Sequence, residues 1–226
     1  RLGVNEQYVY TDQLRTPHSA QLYFWQAVED VSGDPDVGLH LGPLLPAYKG
    51  QVLEYLFLSS PTFGEGLRRA QNYQRLLSDA ANTDFFVAGD EACMVLDTAS
   101  DDVRRLKHFN ECFVQGLITF FKSITDGNFY PSRIEFEHDR EQGQDHVREV
   151  LGCEVVFGAE ENRLYFPAEL LSHASPHAEP ELLALHERFA SEQVARLERL
   201  APVEELVLEQ RLAVGGAAHV VAVPRR

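Results

Sequence analysis

Hydrophobic and polar positions recur with helical spacing in residues 51–77, the stretch around which the rest of the chain is predicted to be organised. An apolar helix is expected to end before Pro61, and a second helix to begin with Thr62 as its N-cap and with Glu65 one turn later. The apolar face of the second helix is interrupted by one amide, Gln74. A polar group in an apolar stripe needs a hydrogen-bond partner, which is supplied by protein, water or a ligand.

Two further helices follow from the same spacing. One begins after Ser19 and ends at the turn of residues 32–35. The other is capped by Ser100 or Asp101 and ends near Gly127. Its predicted apolar face consists of Leu106, Phe109, Phe113, Leu117, Phe120 and Ile124. Because aromatic side chains dominate this face, we expect the helix to pack across the sheet as the centre of the core.

Strands are indicated where the hydrophobic spacing changes from helical to alternating. Residues 83–88 and 92–98 are predicted to form one hairpin, and residues 153–157 and 163–166 a second. Residues 133–138 alternate strictly, which is typical of a strand with one face in water, as antiparallel sheets allow. A short acidic helix is expected between this strand and the second hairpin.

The C-terminal part of the chain is helical in pattern. Residues 172–180 hold two prolines and two histidines and are interpreted as a linker. A helix then runs from Pro180 to about Leu200, and Pro202 is expected to begin another that ends near Val214. The first of these helices carries a narrow stripe near heptad spacing, which is typical of paired helices. The residues predicted for dimerisation are Leu182, Leu185, Phe189, Leu197 and Leu200. Alternatively, the stripe docks onto its own chain.

These elements predict a single α+β domain. Its antiparallel sheet of about five strands is packed with helices, preceded by a helical N-terminal portion and followed by a connecting helix. The expected boundaries are an arm at 1–18, the main domain at 19–171, a linker with connecting helices at 172–214 and an unpatterned tail at 215–226. A length of 226 residues suits one core better than two.

The net charge of the chain disfavours some classes of binding partner. There are 35 acidic and 20 basic residues, which give a formal net charge of -15. A nucleic-acid interface needs clustered Lys and Arg, so this chain by itself is a poor DNA binder. Its acidity also disfavours anionic membranes.

The cysteines and the hydropathy pattern indicate a cytoplasmic location. Cys93, Cys112 and Cys153 are widely spaced and include no CxxC pair, so neither a zinc knuckle nor a disulfide framework is predicted. An apolar run long enough to span a membrane and a signal peptide are both missing from the pattern. No cofactor is expected.

Some histidines and cysteines of the chain have the spacing of catalytic or metal-binding residues. His108 and Cys112 lie one helical turn apart, which would suit a cysteine hydrolase or transferase, but a third orienting residue is not evident. His173 and His177 have metal-ligand spacing, yet Pro176 lies between them. His138 on an inward strand position is interpreted as a core histidine. We therefore expect neither catalysis nor a metal site.

A family resemblance rests on several motifs in consistent order. Residues 58–67 (LSSPTFGEGL), then Tyr73 and residues 75–77, resemble the N-terminal effector-binding domain of one branch of the AraC/XylS transcription regulators. Residues 33–42 (GDPDVGLHLG) and 157–171 (FGAEENRLYFPAELL) fit the same pattern. The similarity extends over roughly residues 20 to 200.

The resemblance implies a sensory and dimerisation domain that binds a small-molecule effector. It also implies that the protein is a homodimer, and that DNA is bound only by a domain C-terminal to this one. Residues 201–226 are too short for the two helix-turn-helix units of that family, so DNA binding is expected of a longer parent protein.

An effector pocket is expected between the aromatic helix, the helix of residues 62–78 and the first hairpin, because ligand pockets are mostly apolar with a few convergent polar groups. The predicted ligand-binding residues are Tyr55, Arg69, Tyr73, Gln74, Asn110 and Phe113. Ordinary core packing is the alternative for each residue. A dimerisation module without a ligand is the alternative for the whole chain, and it predicts that Gln74 is hydrogen-bonded internally.

Overall fold

The computed structural model describes residues 20–78, 81–98 and 100–217. The predicted arm and residues 218–226 lie outside these ranges, and the domain boundaries remain predictions. The described part contains the helices α1 (Ala20–Ser32), α2 (Val37–Leu41), α3 (Val52–Ser59), α4 (Phe63–Asn72), α5 (Asp101–Arg104), α6 (Lys107–Ile124), α7 (Gln144–Leu151) and α8 (Pro180–Ala217). It also contains the strands β1 (Ala81–Ala88), β2 (Glu91–Thr98), β3 (Arg133–Phe136), β4 (Glu154–Phe157) and β5 (Asn162–Pro167), and short 3₁₀ turns at Gly42–Leu44, Gln74–Leu76 and Ala168–Ser172.

The strands form one sheet in the order β1-β2-β5-β3-β4, which confirms the α+β class and the predicted number of strands. The first predicted hairpin is also confirmed, because β1 and β2 pair antiparallel with Ala88 opposite Glu91. Gly89 in the turn has a φ of 64°, a left-handed conformation that glycine adopts without steric cost.

The second predicted hairpin is wrong. β4 pairs in parallel with β3, so that Ile134 lies opposite Val155. β5 instead runs antiparallel between β2 and β3, with Leu164 opposite both Met94 and Ile134. A parallel pair requires a crossover connection, and α7 provides it. β3 alternates apolar and charged residues, whereas β4 and β5 carry runs of adjacent apolar residues. Each pattern indicates a strand, but none of them specifies which strands pair.

Aromatic side chains place α6 in the core, as predicted, but the central ring is that of Phe121, whereas the predicted face included Phe109 and Phe113, which are half-buried. The ring of Phe121 lies 5.0 Å from the rings of both Phe63 and Phe129. The Phe129 ring lies 5.3 Å from that of Phe166 on β5. These centroid distances suit favourable edge and tilted aromatic packing. The core therefore lies between α6, α4 and one face of the sheet.

The helix predicted to start at residue 100 or 101 is divided into α5 and α6. The amide nitrogen of Asn110 donates hydrogen bonds to the carbonyl oxygens of Val103, Arg104 and Leu106 at 3.3, 2.9 and 2.9 Å. These bonds add a side-chain donor to carbonyl groups at the break, two of which, those of Val103 and Leu106, also accept backbone N–H groups. Asn110 thus has a structural role at the junction of the two helices.

A single helix, α8, continues through Pro202 to Ala217, so the helix boundary predicted at Pro202 is wrong. Proline inside a helix removes one backbone hydrogen bond and usually ends or kinks the helix. The helix continues here because the residues on both sides of Pro202, such as Leu200 and Glu204, are good helix formers. Pro180 occupies the first helical position, where proline is favoured.

Candidate effector site and connecting-helix interface

The corner between α3 and α4 positions the candidate site. The Thr62 side chain accepts a hydrogen bond from the backbone N–H of Glu65 at 3.2 Å, which confirms the predicted N-cap. The backbone N–H of Phe63 donates to the carbonyl oxygen of His173 at 2.9 Å, and Thr62 forms an isolated β-bridge with Ala174. The corner is therefore attached to the chain segment that leads into α8.

Arg69 on α4 connects this corner to α8. Its Nε atom donates to Glu187 Oε1 at 2.8 Å, and its Nη1 atom donates to Glu65 Oε2 at 3.0 Å. The Arg69 side chain is 22% exposed and that of Glu187 is 41% exposed. The ion pair between the two helices is therefore open to solvent on one side, where screening weakens it.

Two tyrosines extend the same interface. The Tyr73 hydroxyl lies 3.0 Å from Ser191 Oγ and also donates to the Glu187 carbonyl oxygen at 3.4 Å. The Tyr55 ring lies 5.4 Å from the His186 ring and is about half exposed. We call Tyr55, Arg69 and Tyr73 with Glu187 and Ser191 the α8 seam.

The structure does not bring the six predicted ligand residues into one group. Tyr55, Arg69 and Tyr73 border α8, whereas Gln74 faces β1. The Gln74 carbonyl oxygen accepts from the Thr83 N–H at 2.7 Å and from Thr83 Oγ1 at 3.0 Å. Phe113 is half-buried, with its ring stacked 6.2 Å from that of Phe109. Asn110 holds the α5–α6 junction. Their roles in ligand binding remain predictions.

The predicted dimerisation stripe lies beside, not on, the face that docks α8 onto its own domain. Leu183 and Ala190 are buried in that docking. By contrast, the side chains of Leu182, Leu185 and Phe189 are 47–49% exposed. Leu197 is half-buried, and the side chain of Leu200 lies outside the described set. The helix therefore has two apolar faces, one occupied by its own chain and one in solvent.

Cys112 lacks the environment of a nucleophile. Burial raises the pKa of its thiol to about 11, so little thiolate forms near neutral pH. Its predicted partner His108 has other contacts: Nε2 lies 3.0 Å from Glu29 Oε2, and Nδ1 accepts from the Gly38 N–H at 3.4 Å. His108 thus links the N-terminal helices to α6.

The sequence analysis did not predict a cluster of buried charged side chains around Glu111. Glu111, on α6, is fully buried, and its Oε1 atom lies 3.2 Å from Nε2 of buried His138. Arg140 donates to both Glu111 and Asp36. Burial of His138 agrees with the core role expected for it. The position of Glu111 in a mainly apolar helix pattern could have indicated this cluster, because a carboxylate buried there requires a charged partner.

Within the ranges that the structure describes, no three His, Cys, Asp or Glu side chains are grouped so as to hold a metal ion. His173 and His177 lie in the segment before α8. In the same described ranges, no helix is both long and apolar enough to cross a membrane.

The α+β core therefore contacts the long helix α8 through the α8 seam. Residues 1–174 match the family described as the arabinose-binding domain of AraC transcription regulator, N-terminal. The chain therefore belongs to this family of transcription-regulator domains, as its sequence motifs predicted. A domain of this family senses an effector.

The solved structures include a similar fold. The crystal structure of transcriptional regulator CdpR from Pseudomonas aeruginosa matches with a TM-score of 0.53 and 18% sequence identity, covering 78% of this chain. The match covers 57% of the CdpR chain, so the present chain spans little more than half of that regulator. No curated protein matches the sequence.

Proposed function

We propose that this chain is the effector-sensing and dimerisation part of an AraC-type transcription regulator, acting in the cytoplasm and controlling a DNA-binding domain attached beyond α8. The observation that carries the proposal is the α8 seam. Three side chains predicted for effector binding lie against the helix that leads out of the domain. A ligand at these side chains would therefore act directly on the connecting helix.

Effector binding would act by competing with α8 for the same polar groups. Arg69 is held by Glu65 and Glu187, and a ligand carboxylate or phosphate at Arg69 would compete with Glu187. Displacement of Glu187 would weaken the docking of α8 without touching the aromatic core. A ligand shifts such an equilibrium only through different affinities for the docked and released arrangements.

The free face of α8 supports dimerisation. Leu182, Leu185 and Phe189 present a continuous apolar stripe beside the docked face. Two copies of this stripe would pack against each other about a two-fold axis, in which the same residues meet on both chains. Movement of α8 on its own domain would then change the relation between the two protomers.

Native mass spectrometry of the purified chain is the primary test. A dimer that carries a small organic mass would support the sensor proposal and identify the ligand class. A second measurement is hydrogen exchange of residues 180–197 before and after the copurified ligand is removed. We expect exchange in α8 to change while exchange in α6 stays constant.

Arg69→Gln and Arg68→Gln form a matched pair for the same test. Both arginines lie on α4, but Arg68 is exposed and lies over the Phe85 ring, 5.9 Å from its centre. The Arg69→Gln variant should show faster exchange in α8 and no further response to ligand removal. The proposal is contradicted if both variants behave like the unmodified chain.

A ligand-free dimerisation module is the second candidate, and the Gln74 contacts favour it. Both polar atoms of that amide bond to the chain itself, to Thr83 and Asn82, as this alternative predicted. A bare dimer, whose α8 exchange is insensitive to any screened metabolite, would select this candidate.

We further propose that the domain has no catalytic activity. Cys112→Ser should leave effector binding and dimerisation unchanged, because the buried thiol has no role in either. If the unmodified chain has a hydrolase or transferase activity that the Cys112→Ser variant lacks, the result would instead support the enzyme alternative.

A further inference from the structure

Two histidines that are far apart in the sequence meet between α2 and α7. Nε2 of His40 lies 3.3 Å from Nε2 of His146, with the ring centroids 5.6 Å apart and the planes at 68°. Such a separation is at the long end of the hydrogen-bond range. Both side chains are reachable from solvent, because His40 is 47% exposed and His146 is also exposed.

Asp34 orients the first of these rings. Its Oδ2 atom lies 2.7 Å from Nδ1 of His40, and its Oδ1 atom accepts the backbone N–H of Asp36 at 2.9 Å. An aspartate carboxylate only accepts hydrogen bonds, so the ring nitrogen at 2.7 Å is the donor. Nδ1 of His40 therefore carries the proton. In the neutral ring, the lone pair of Nε2 is left pointing at His146.

This arrangement matches the geometry of a bound transition metal. Histidine nitrogens lie about 2.0–2.1 Å from Zn²⁺, so two of them in a tetrahedral site are about 3.3–3.4 Å apart. Metal-bound histidines usually donate their other N–H to a carboxylate, which fixes the ring and raises its basicity. The pair has the required separation, and His40 has the required carboxylate.

We propose that His40 and His146 bind a divalent transition-metal ion of the Zn²⁺ and Ni²⁺ class, with Asp34 as the positioning residue and water in the remaining coordination positions. Imidazole ligands suit Zn²⁺ and Ni²⁺, whereas Mg²⁺ prefers oxygen ligands. The net charge of -15 favours cation binding in general but does not select this site. The site is independent of the α8 seam.

The bound ion would join two layers of the domain. α2 packs on α6, and the approach is so close that a side chain at Gly38 would overlap the His108 backbone. α7 buries Val147 and Leu151 in the core beside β4. A cation between His40 and His146 would therefore fasten the N-terminal helices to the sheet side of the domain.

The test is a titration of untagged, chelator-treated protein with NiCl₂, ZnCl₂ and MgCl₂, followed by calorimetry and by the thermal midpoint. At metal concentrations of about one hundred times Kd, the folded-to-unfolded ratio should rise about a hundredfold. For a domain of this size, that change raises Tm by about 5–10 °C. MgCl₂ should have no effect.

His40→Gln and His146→Gln should each abolish the nickel and zinc response while leaving the metal-free Tm nearly unchanged, because both side chains are exposed. His177→Gln, which alters an exposed histidine elsewhere, should bind metal like the unmodified chain. Asp34→Asn should weaken metal affinity by about 10–100-fold. Calorimetry that detects no binding, or equal binding by the His40→Gln and His146→Gln variants, would overturn the site and leave an ordinary imidazole hydrogen bond.

Discussion

The core around α6 and the α8 seam are both helix contacts, but they are held together differently. Phe121 of α6 is fully buried among other aromatic rings. The docking of α8 buries two of its apolar residues, Leu183 and Ala190, and the α8 seam beside them contains the partly exposed Arg69–Glu187 ion pair. Hydrophobic burial is costly to undo, whereas exposed ion pairs exchange readily with water and ions.

The core around α6 should therefore cost more free energy to disrupt than the α8 seam. Truncating a buried phenylalanine typically costs about 3–5 kcal/mol, and breaking a partly exposed ion pair about 0–1 kcal/mol. Under the proposed function, a bound metabolite would therefore rearrange the seam at a small cost in free energy while the core kept its structure. The following substitutions test this contrast, in order of decreasing expected effect.

Phe121→Ala should lower the free energy of unfolding by about 3–5 kcal/mol, because it leaves a cavity among rings that cannot fully collapse. Urea denaturation measures this change. Phe189→Ala on the exposed stripe is the matched control and should change the monomer's stability by about 0.5 kcal/mol or less. Equal losses in the two variants would remove the distinction between core and seam.

Arg140→Met should also destabilise the domain by about 3–5 kcal/mol, because it leaves the Glu111 carboxylate buried without its cationic partner. The double variant Glu111→Leu with Arg140→Met should recover most of this loss, since both charges are then removed. Denaturation of the single and double variants gives the coupling. A double variant that is less stable than Arg140→Met would contradict the explanation.

Leu185→Glu combined with Phe189→Glu should convert a dimer to a monomer, because four like charges would face one another across the proposed two-fold axis. Sedimentation velocity measures the mass. Val31→Glu changes an apolar residue that is 90% exposed on α1, away from the stripe, and should leave the dimer intact. A dimer that survives the double substitution would place its interface elsewhere.

Tyr73→Phe should have the smallest effect, about 0.5–1.5 kcal/mol, because it removes only the hydroxyl that contacts Ser191 Oγ and the Glu187 carbonyl oxygen. Ser191→Ala should have a similar effect. A double-mutant cycle isolates the Tyr73–Ser191 contact, which both substitutions remove, from the separate contact of each hydroxyl with the Glu187 carbonyl oxygen. Strictly additive losses would show that the two hydroxyl groups do not stabilise each other.

Local chemistry made several elements predictable. Glycine and acidic residues between two alternating runs specified the β1–β2 hairpin, and Thr62 with Glu65 specified the start of α4. The stripe of Leu182, Leu185 and Phe189 was visible as a repeat along one helix. Each signal lies within a few positions of the chain, so backbone preference and side-chain spacing are sufficient to read it.

Contacts between distant segments were not predictable in this way. The sequence by itself determined the α+β class, the first hairpin, the Thr62 cap of α4 and the family motifs, because these depend on near neighbours. Only the tertiary structure decided that β5 separates β2 from β3, that Arg69 meets Glu187, and that His40 meets His146. Such pairings depend on how complete strands and helices pack. The local sequence pattern of one segment does not specify which distant segment it contacts.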